Sequence, residues 1–231
     1  MPRTRSAPAW LLAAVFSACG DPPTQPTAPN VGLVIHDTLN PSESRTSTRL
    51  YESVSYIDTF GRQVDGGWAI DDFTPRQTAQ VRTVRWQGGY CDPRFQVPLA
   101  IPTPIARSFR ITFSEDRSGP STHSLNARSL LEITVAPADV AERKMFEVLQ
   151  EREFGCGSKV PAPMAHYDYT LTLTAPLAVT AGTKYWFRVM ADIGVPTVVW
   201  GWRGGTGGDG RSLNSYANAS YLTDMAFSLA Q

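Results

Sequence analysis

Over much of the chain apolar and polar residues alternate one for one, the period of a strand with one buried face. Phe109, Ile111 and Phe113 alternate with Arg110 and Thr112, and Tyr167, Tyr169, Leu171 and Leu173 with Asp168, Thr170 and Thr172. Leu131, Ile133 and Val135 form a third set, and Met225, Phe227 and Leu229 a fourth. Further strands are predicted over Trp68 to Thr74, Val81 to Gln87, Tyr185 to Met190 and Val198 to Trp202. Turn chemistry separates them: Asp65-Gly66-Gly67, Gly88-Gly89, Ser118-Gly119-Pro120, Ala181-Gly182 and the run from Gly204 to Gly210. Many short strands with Gly/Pro turns predict an all-β fold, an antiparallel β-sandwich of jelly-roll type. One segment breaks the period. Asp139 to Phe154 starts with a cap-like Asp-x-x-Glu and carries helix formers with Glu/Arg pairs, so one short helix is expected there.

Ahead of the strands the pattern changes. Arg3 and Arg5 precede an apolar run from Ala7 to Ala18, too short for a bilayer that needs about 20 residues, so it reads as an export signal. The segment Phe16-Ser17-Ala18-Cys19 resembles the lipobox of bacterial lipoproteins, with Phe16 where that group usually has Leu. The resemblance implies cleavage before Cys19, a lipid on Cys19, export and anchoring to the cell envelope. Gly20 after the cysteine resembles the default for the outer membrane of Gram-negative cells. Gly20 to Asn30 then holds four Pro with Thr and Gln, an extended composition unable to build a core. The expected organisation is a signal peptide over 1–18, a tether over 19–48 and one sandwich domain over 49–231. Within the tether, the apolar run from Val31 to Ile35 allows an early strand.

Charge narrows the partners. Twenty-one basic residues balance twenty-one acidic ones without a Lys/Arg block, which excludes an electrostatic footprint for nucleic acid. With three Cys and three His, few groups are left for nucleophile or metal chemistry. Cys91 and Cys156 are the thiols remaining after lipidation, and an exported chain sits where disulfides persist. Their bridge would close a loop of about 65 residues, worth roughly 4 kcal/mol in the chain-entropy model. His36 lies near the tether, His123 in a Ser/Thr turn and His166 before a strand, and each reads as a solvated or hydrogen-bonded loop residue. No H-E-x-x-H, G-x-S-x-G or zinc-type Cys/His spacing occurs, so no catalytic residue is assigned, and neither enzyme activity nor an organic cofactor is expected.

Two constellations remain. Asp71, Asp72 and Asp224 border apolar strand residues near the two ends of the domain and meet if its first and last strands are neighbours. There they would either cap turns and pair with Arg or, with backbone carbonyls, hold a structural Ca²⁺. Trp200 and Trp202 share a strand face beside a Gly-rich run, and Trp86-Gln87-Gly88-Gly89 echoes Trp202-Arg203-Gly204-Gly205. These three indoles would form either core or a platform that stacks on sugar faces. Tyr185, after Leu177 and Gly182-Thr183, matches the tyrosine corner, a folding device.

Seven phrases carry a wider likeness: Gly67 to Thr74, Val84 to Tyr90, Phe109 to Phe113, Tyr167-Asp168-Tyr169, Ala181 to Trp186, Trp200-Gly201-Trp202 and Asp224 to Phe227. In this order, over about residues 66–229, they resemble uncharacterised secreted or surface-anchored bacterial β-sandwich domains. That resemblance implies fold and location and no activity. The expected function is a non-catalytic binding module on a membrane-anchored lipoprotein, with glycan or cell-envelope material as ligand. The alternatives are an envelope assembly role with a protein partner, or a hydrolase whose site has no motif.

Overall fold

The computed structural model describes residues 32–41, 50–58, 60–91, 105–117, 127–150, 162–194, 198–214 and 220–231. The strands run β1 (Val34–Asp37), β2 (Leu50–Glu52), β3 (Val54–Ile57), β4 (Gln63–Gly67), β5 (Ala69–Phe73), β6 (Ala79–Cys91), β7 (Ser108–Asp116) and β8 (Ala127–Val135). They continue with β9 (Ala141–Gln150), β10 (Ala162–Val179), β11 (Tyr185–Asp192), β12 (Val199–Arg203), β13 (Ser212–Asn214), β14 (Ser220–Tyr221) and β15 (Phe227–Ala230). Seven form one sheet in the order β1-β15-β6-β10-β9, with β12 pairing β6 and β2. Eight form the other in the order β14-β13-β5-β11-β3-β4, with β7 pairing β11 and β8. All pairs are antiparallel except the short parallel contact of β11 with β3, at Ala191 with Val54 and Asp192 with Ser55. The fold is an all-β sandwich.

Aromatic rings join the two sheets. From the first sheet β6, β10, β12 and β15 send in Trp86, Tyr169, Trp200, Trp202 and Phe227; from the second come Phe73, Phe109, Phe113 and Phe187. Trp86 stacks on Tyr169 at 5.2 Å and meets Phe109 edge-on at 5.7 Å, while Phe187 meets Trp202 edge-on at 5.3 Å. Such pairs add about 0.5–1.5 kcal/mol each beyond area burial. The tyrosine corner forms: the Thr180 N–H donates to the Tyr185 hydroxyl at 2.9 Å, across the turn at Ala181-Gly182.

Four sequence expectations need correction. The helix over Asp139 to Phe154 is absent from the described part of that span: Pro137–Asp139 is a single 3-10 turn and Ala141–Gln150 is β9. The free edge of β10 supplies a ladder from Ala141 opposite Thr170 to Gln150 opposite Ala162, and the buried Phe146 and half-buried Val148 lie two apart on one strand face. Tertiary pairing outweighs local propensity here. Secondly, Gly66 and Gly67 close β4, and the hairpin turn lies earlier, at Asp58 to Arg62, where Asp58 accepts from the N–H groups of Phe60 and Arg62. Thirdly, residues 34–41 are stitched into the sandwich. β1 pairs β15, and the Thr38 hydroxyl donates to the Met225 carbonyl at 2.7 Å, so the tether cannot extend to residue 48.

The fourth correction explains a glycine. Gly88 and Gly89 make no turn; they sit inside β6 opposite Tyr167 and His166. A Cβ on Gly88 would meet Trp200 Cζ2 at 2.4 Å and the Gly201 carbonyl oxygen at 2.9 Å, so the indole lies directly on bare backbone. Gly88→Ala should therefore overpack the core and cost about 1–3 kcal/mol in urea unfolding. Combining it with Trp200→Leu should cost less than the sum of the two single changes, and strict additivity would refute the contact.

Candidate functional site

The three tryptophans of the expected platform are core. Trp86, Trp200 and Trp202 each have 0% exposure, and their N–H groups do not reach outward: Trp200 donates to the Tyr169 hydroxyl and Trp202 to the Ala226 carbonyl. Large apolar rings on inward positions of central strands have no competing place to go, so no ligand can stack on them in this state.

Of the three acids, Asp71 and Asp224 come near each other, while Asp72 turns to a lysine. Asp71 on β5 accepts the Met225 N–H at 2.7 Å through one oxygen and the Asp72 N–H at 2.9 Å through the other. Asp224 accepts the N–H groups of Gly208 and Gly210 at 3.0 and 2.8 Å, bracing the Gly-rich loop. A Cβ on Gly208 would stand 2.5 Å from an Asp224 oxygen, which is why that loop position is glycine. Asp72 faces the Lys184 ammonium at 3.4 Å. Burial pushes the Asp71 carboxyl well above the ordinary range; the Met225 N–H opposes this, and the charges of Asp224 and Asp72 reinforce it. Among the described residues no group of three or more His, Cys, Asp or Glu side chains could hold a metal ion. These acids fasten loops.

Beside them lies a cleft of about 390 Å³ lined by His36, Asp37, Asp72, Phe73, Arg76, the Gly207–Asp209 loop and neighbouring backbone. His36 is not a tether residue: it stacks on Phe227 at 4.4 Å, and burial lowers its pKa to about 4. On the other side of Asp37 is a second cleft, of about 290 Å³, lined by Asp37, Leu39, Asn40, Pro41, Arg85, Gln87, Arg143 and Asp168.

The floor of this second cleft is a polar row that sequence reading missed. On β10, Asp168 and His166 point away from the face that buries Tyr167 and Tyr169. Asp168 lies opposite Gln87 on β6 and Arg143 on β9. The Gln87 amide nitrogen donates to Asp168 at 2.9 Å and to the Asn40 carbonyl at 2.8 Å, and its oxygen accepts from Arg203 on β12 at 3.1 Å. Arg143 donates to the other Asp168 oxygen at 2.5 Å. Gln87, Asp168, Asn40 and Arg203 are all buried. Burial pulls Arg203 down to about 10, Asp168 offsets part of that, and the guanidinium stays charged at neutral pH. His166, also fully buried, stacks on Phe146 at 4.6 Å; burial, then the Arg203 charge, lowers it to about 3. His123 lies outside the described residues. Each member of the row had a signal, a polar residue between aromatic strand neighbours, but only register puts them side by side.

Cys91 ends β6 fully buried and is disulfide-bonded. Cys156, its expected partner, lies outside the described residues, as does Cys19.

The family described as a domain of unknown function, DUF7901, matches residues 59–225. The chain belongs to the DUF7901 family. The DUF7901 match holds β4 to β14, with Asp71, Gln87, Arg143, Asp168, Arg203 and Asp224, and leaves out β1, Asn40 and β15. No curated protein and no solved structure matches the chain.

Two neutral histidines, the buried His166 and the half-buried His36, set an acid limit for this DUF7901 domain. Unfolding frees each to take a proton near pH 6.5, which the folded state refuses until about 4 for His36 and about 3 for His166. Their contribution, about 3 kcal/mol for His36 and about 5 kcal/mol for His166, is full above pH 6.5 and is lost as pH falls through that window. Asp71, with its raised value, acts oppositely, favouring the fold most at low pH. Urea titrations should show His166→Phe flattening the loss between pH 6.5 and 3.5; an unchanged slope would remove His166 from the account.

Proposed function

We propose that the protein is an exported bacterial lipoprotein whose sandwich is a non-catalytic binding module for glycan or cell-envelope material. The observation that carries the binding reading is the pair of polar clefts meeting at Asp37, one of them floored by a buried, hydrogen-bonded row of planar side chains. The row holds the exposed Arg143 guanidinium in place, so its remaining N–H groups can meet a ligand oxygen at reduced ordering cost. Catalysis fits the geometry less well. Both oxygens of Asp71, and both of Asp224, are occupied by backbone N–H groups, which leaves no carboxylate pair poised for acid–base work there. Export and anchoring rest on the N-terminal signal and on Cys19, and the staple on Cys91 with Cys156.

Two measurements test this reading. Cys19→Ala should move the protein out of the membrane fraction or stall its processing, and denatured, unreduced mature protein should show no reactive thiol; normal membrane partitioning, or two free thiols, would contradict the respective assignment. In a glycan and envelope-polymer array with the full chain, at least one ligand should bind, and Asp37→Ala should weaken it about tenfold. An empty array, or binding indifferent to Asp37, would end the binding reading.

A further inference from the structure

The second cleft has an unequal supply of donors and acceptors. Asp168 accepts from Gln87 with one oxygen and from Arg143 with the other. The Gln87 oxygen takes Arg203 at 3.1 Å and the Asn40 N–H at 3.3 Å, and the Asn40 carbonyl takes the Gln87 amide. One Asp37 oxygen accepts the Leu39 N–H. The floor's acceptors are thus engaged by the protein itself, and Asp37 keeps one carboxylate oxygen at the wall shared with the other cleft. Donors remain. Arg143 lies across the strand from Asp168 and spends one guanidinium nitrogen on it, its side chain otherwise 65% exposed. The exposed Arg85 guanidinium, two residues before Gln87 on the same strand face, has no hydrogen-bond or ion-pair partner among the described residues. Arg203 adds a third positive charge, buried beneath. The rim thus offers unspent donors on two guanidiniums, that of Arg143 and that of Arg85.

The geometry points to the Arg85–Arg143 cleft as an anion subsite, one that takes a carboxylate or phosphate group carried on an envelope polymer. This rests on the binding reading and names the chemistry of its ligand. A guanidinium fork matches either anion by paired N–H bonds. The buried row gives that fork a fixed base: Asp168 orients Arg143, and Gln87, tied to Arg203, orients Asp168. An anion then completes the hydrogen bonding of both rim arginines and meets the charge of Arg85, which has no ion-pair partner among the described residues. A neutral sugar would supply hydroxyls but no opposite charge.

Titration calorimetry on the full chain tests this with three probes: an oligogalacturonate, its methyl-esterified neutral counterpart, and a short inorganic polyphosphate. One of the two anions should bind, at least about tenfold more tightly than the neutral oligomer, and should weaken as salt screens the site. The tighter anion assigns carboxylate or phosphate. Arg85→Gln and Arg143→Gln should each lower its affinity about tenfold, whereas Arg128→Gln, exposed on β8 in the other sheet, should not. Among the described residues Arg85 holds no partner, so Arg85→Gln should keep the parent unfolding midpoint and remain interpretable if Arg143→Gln disturbs Asp168. Absence of anion binding, or binding equally strong in both arginine variants, would overturn the proposal. Neutral glycans that bind regardless of Arg85 and Arg143 would overturn it too, while leaving the binding-module reading standing.

Discussion

The ladder between β6 and β10 organises the molecule from both sides at once. It runs from Met164 opposite Cys91 to Val179 opposite Ala79, interrupted by one irregularity between Thr172 and Leu177. Because side chains alternate, the same register that lays Trp86 against Tyr169 inside the core sets Gln87 against Asp168 on the opposite face. A slip by one residue would put the amide and the carboxylate into the aromatic core and the rings outside it. The core and the polar row are therefore not separable features; a single pairing choice fixes both.

The strands and their inward faces were legible because period two survives in every long strand with a solvated or polar back. What misled was glycine and propensity. Gly88-Gly89 carries turn chemistry, yet Gly88 lets Trp200 approach the backbone, a requirement set by a strand more than a hundred residues away in sequence, and Gly89 lies against the Ala165 carbonyl. Asp139 to Phe154 carries helix chemistry, yet the unpaired edge of β10 recruits it, and no local window contains that edge. Of the acids, the sequence was right to expect Asp71 and Asp224 together, and one of its two readings, turn capping, describes them. Gln87, Asp168 and Arg203 escaped because an isolated polar residue on an alternating strand looks like ordinary solvent face. Only the three-dimensional register reveals that this face is covered.

Burying that row is costly in isolation. A guanidinium and a carboxylate removed from water lose several kcal/mol of hydration, recovered only when every donor and acceptor finds a partner. Here Gln87 is the mediator: neutral itself, it relays between Arg203 and Asp168 and also holds the Asn40 backbone. The loop from Thr38 to Pro41 is consequently fastened by the outer row as well as by Thr38, whose hydroxyl engages Met225 and Phe227 near the chain's end. That loop lies beyond the span shared with the DUF7901 family, although Gln87, Asp168 and Arg203, which grip it, lie inside.

That fastening has a mechanical side. The chain enters the sandwich through β1, whose register runs from Val34 opposite Ala230 to Asp37 opposite Ser228, and the Gln231 N–H donates to the Leu33 carbonyl at 3.1 Å. A force directed along β1 would load these rungs side by side in shear rather than one after another like a zipper. The same strand ends at Asp37, which lines both clefts. The rungs that resist such a force and the wall between the clefts are thus one stretch of backbone.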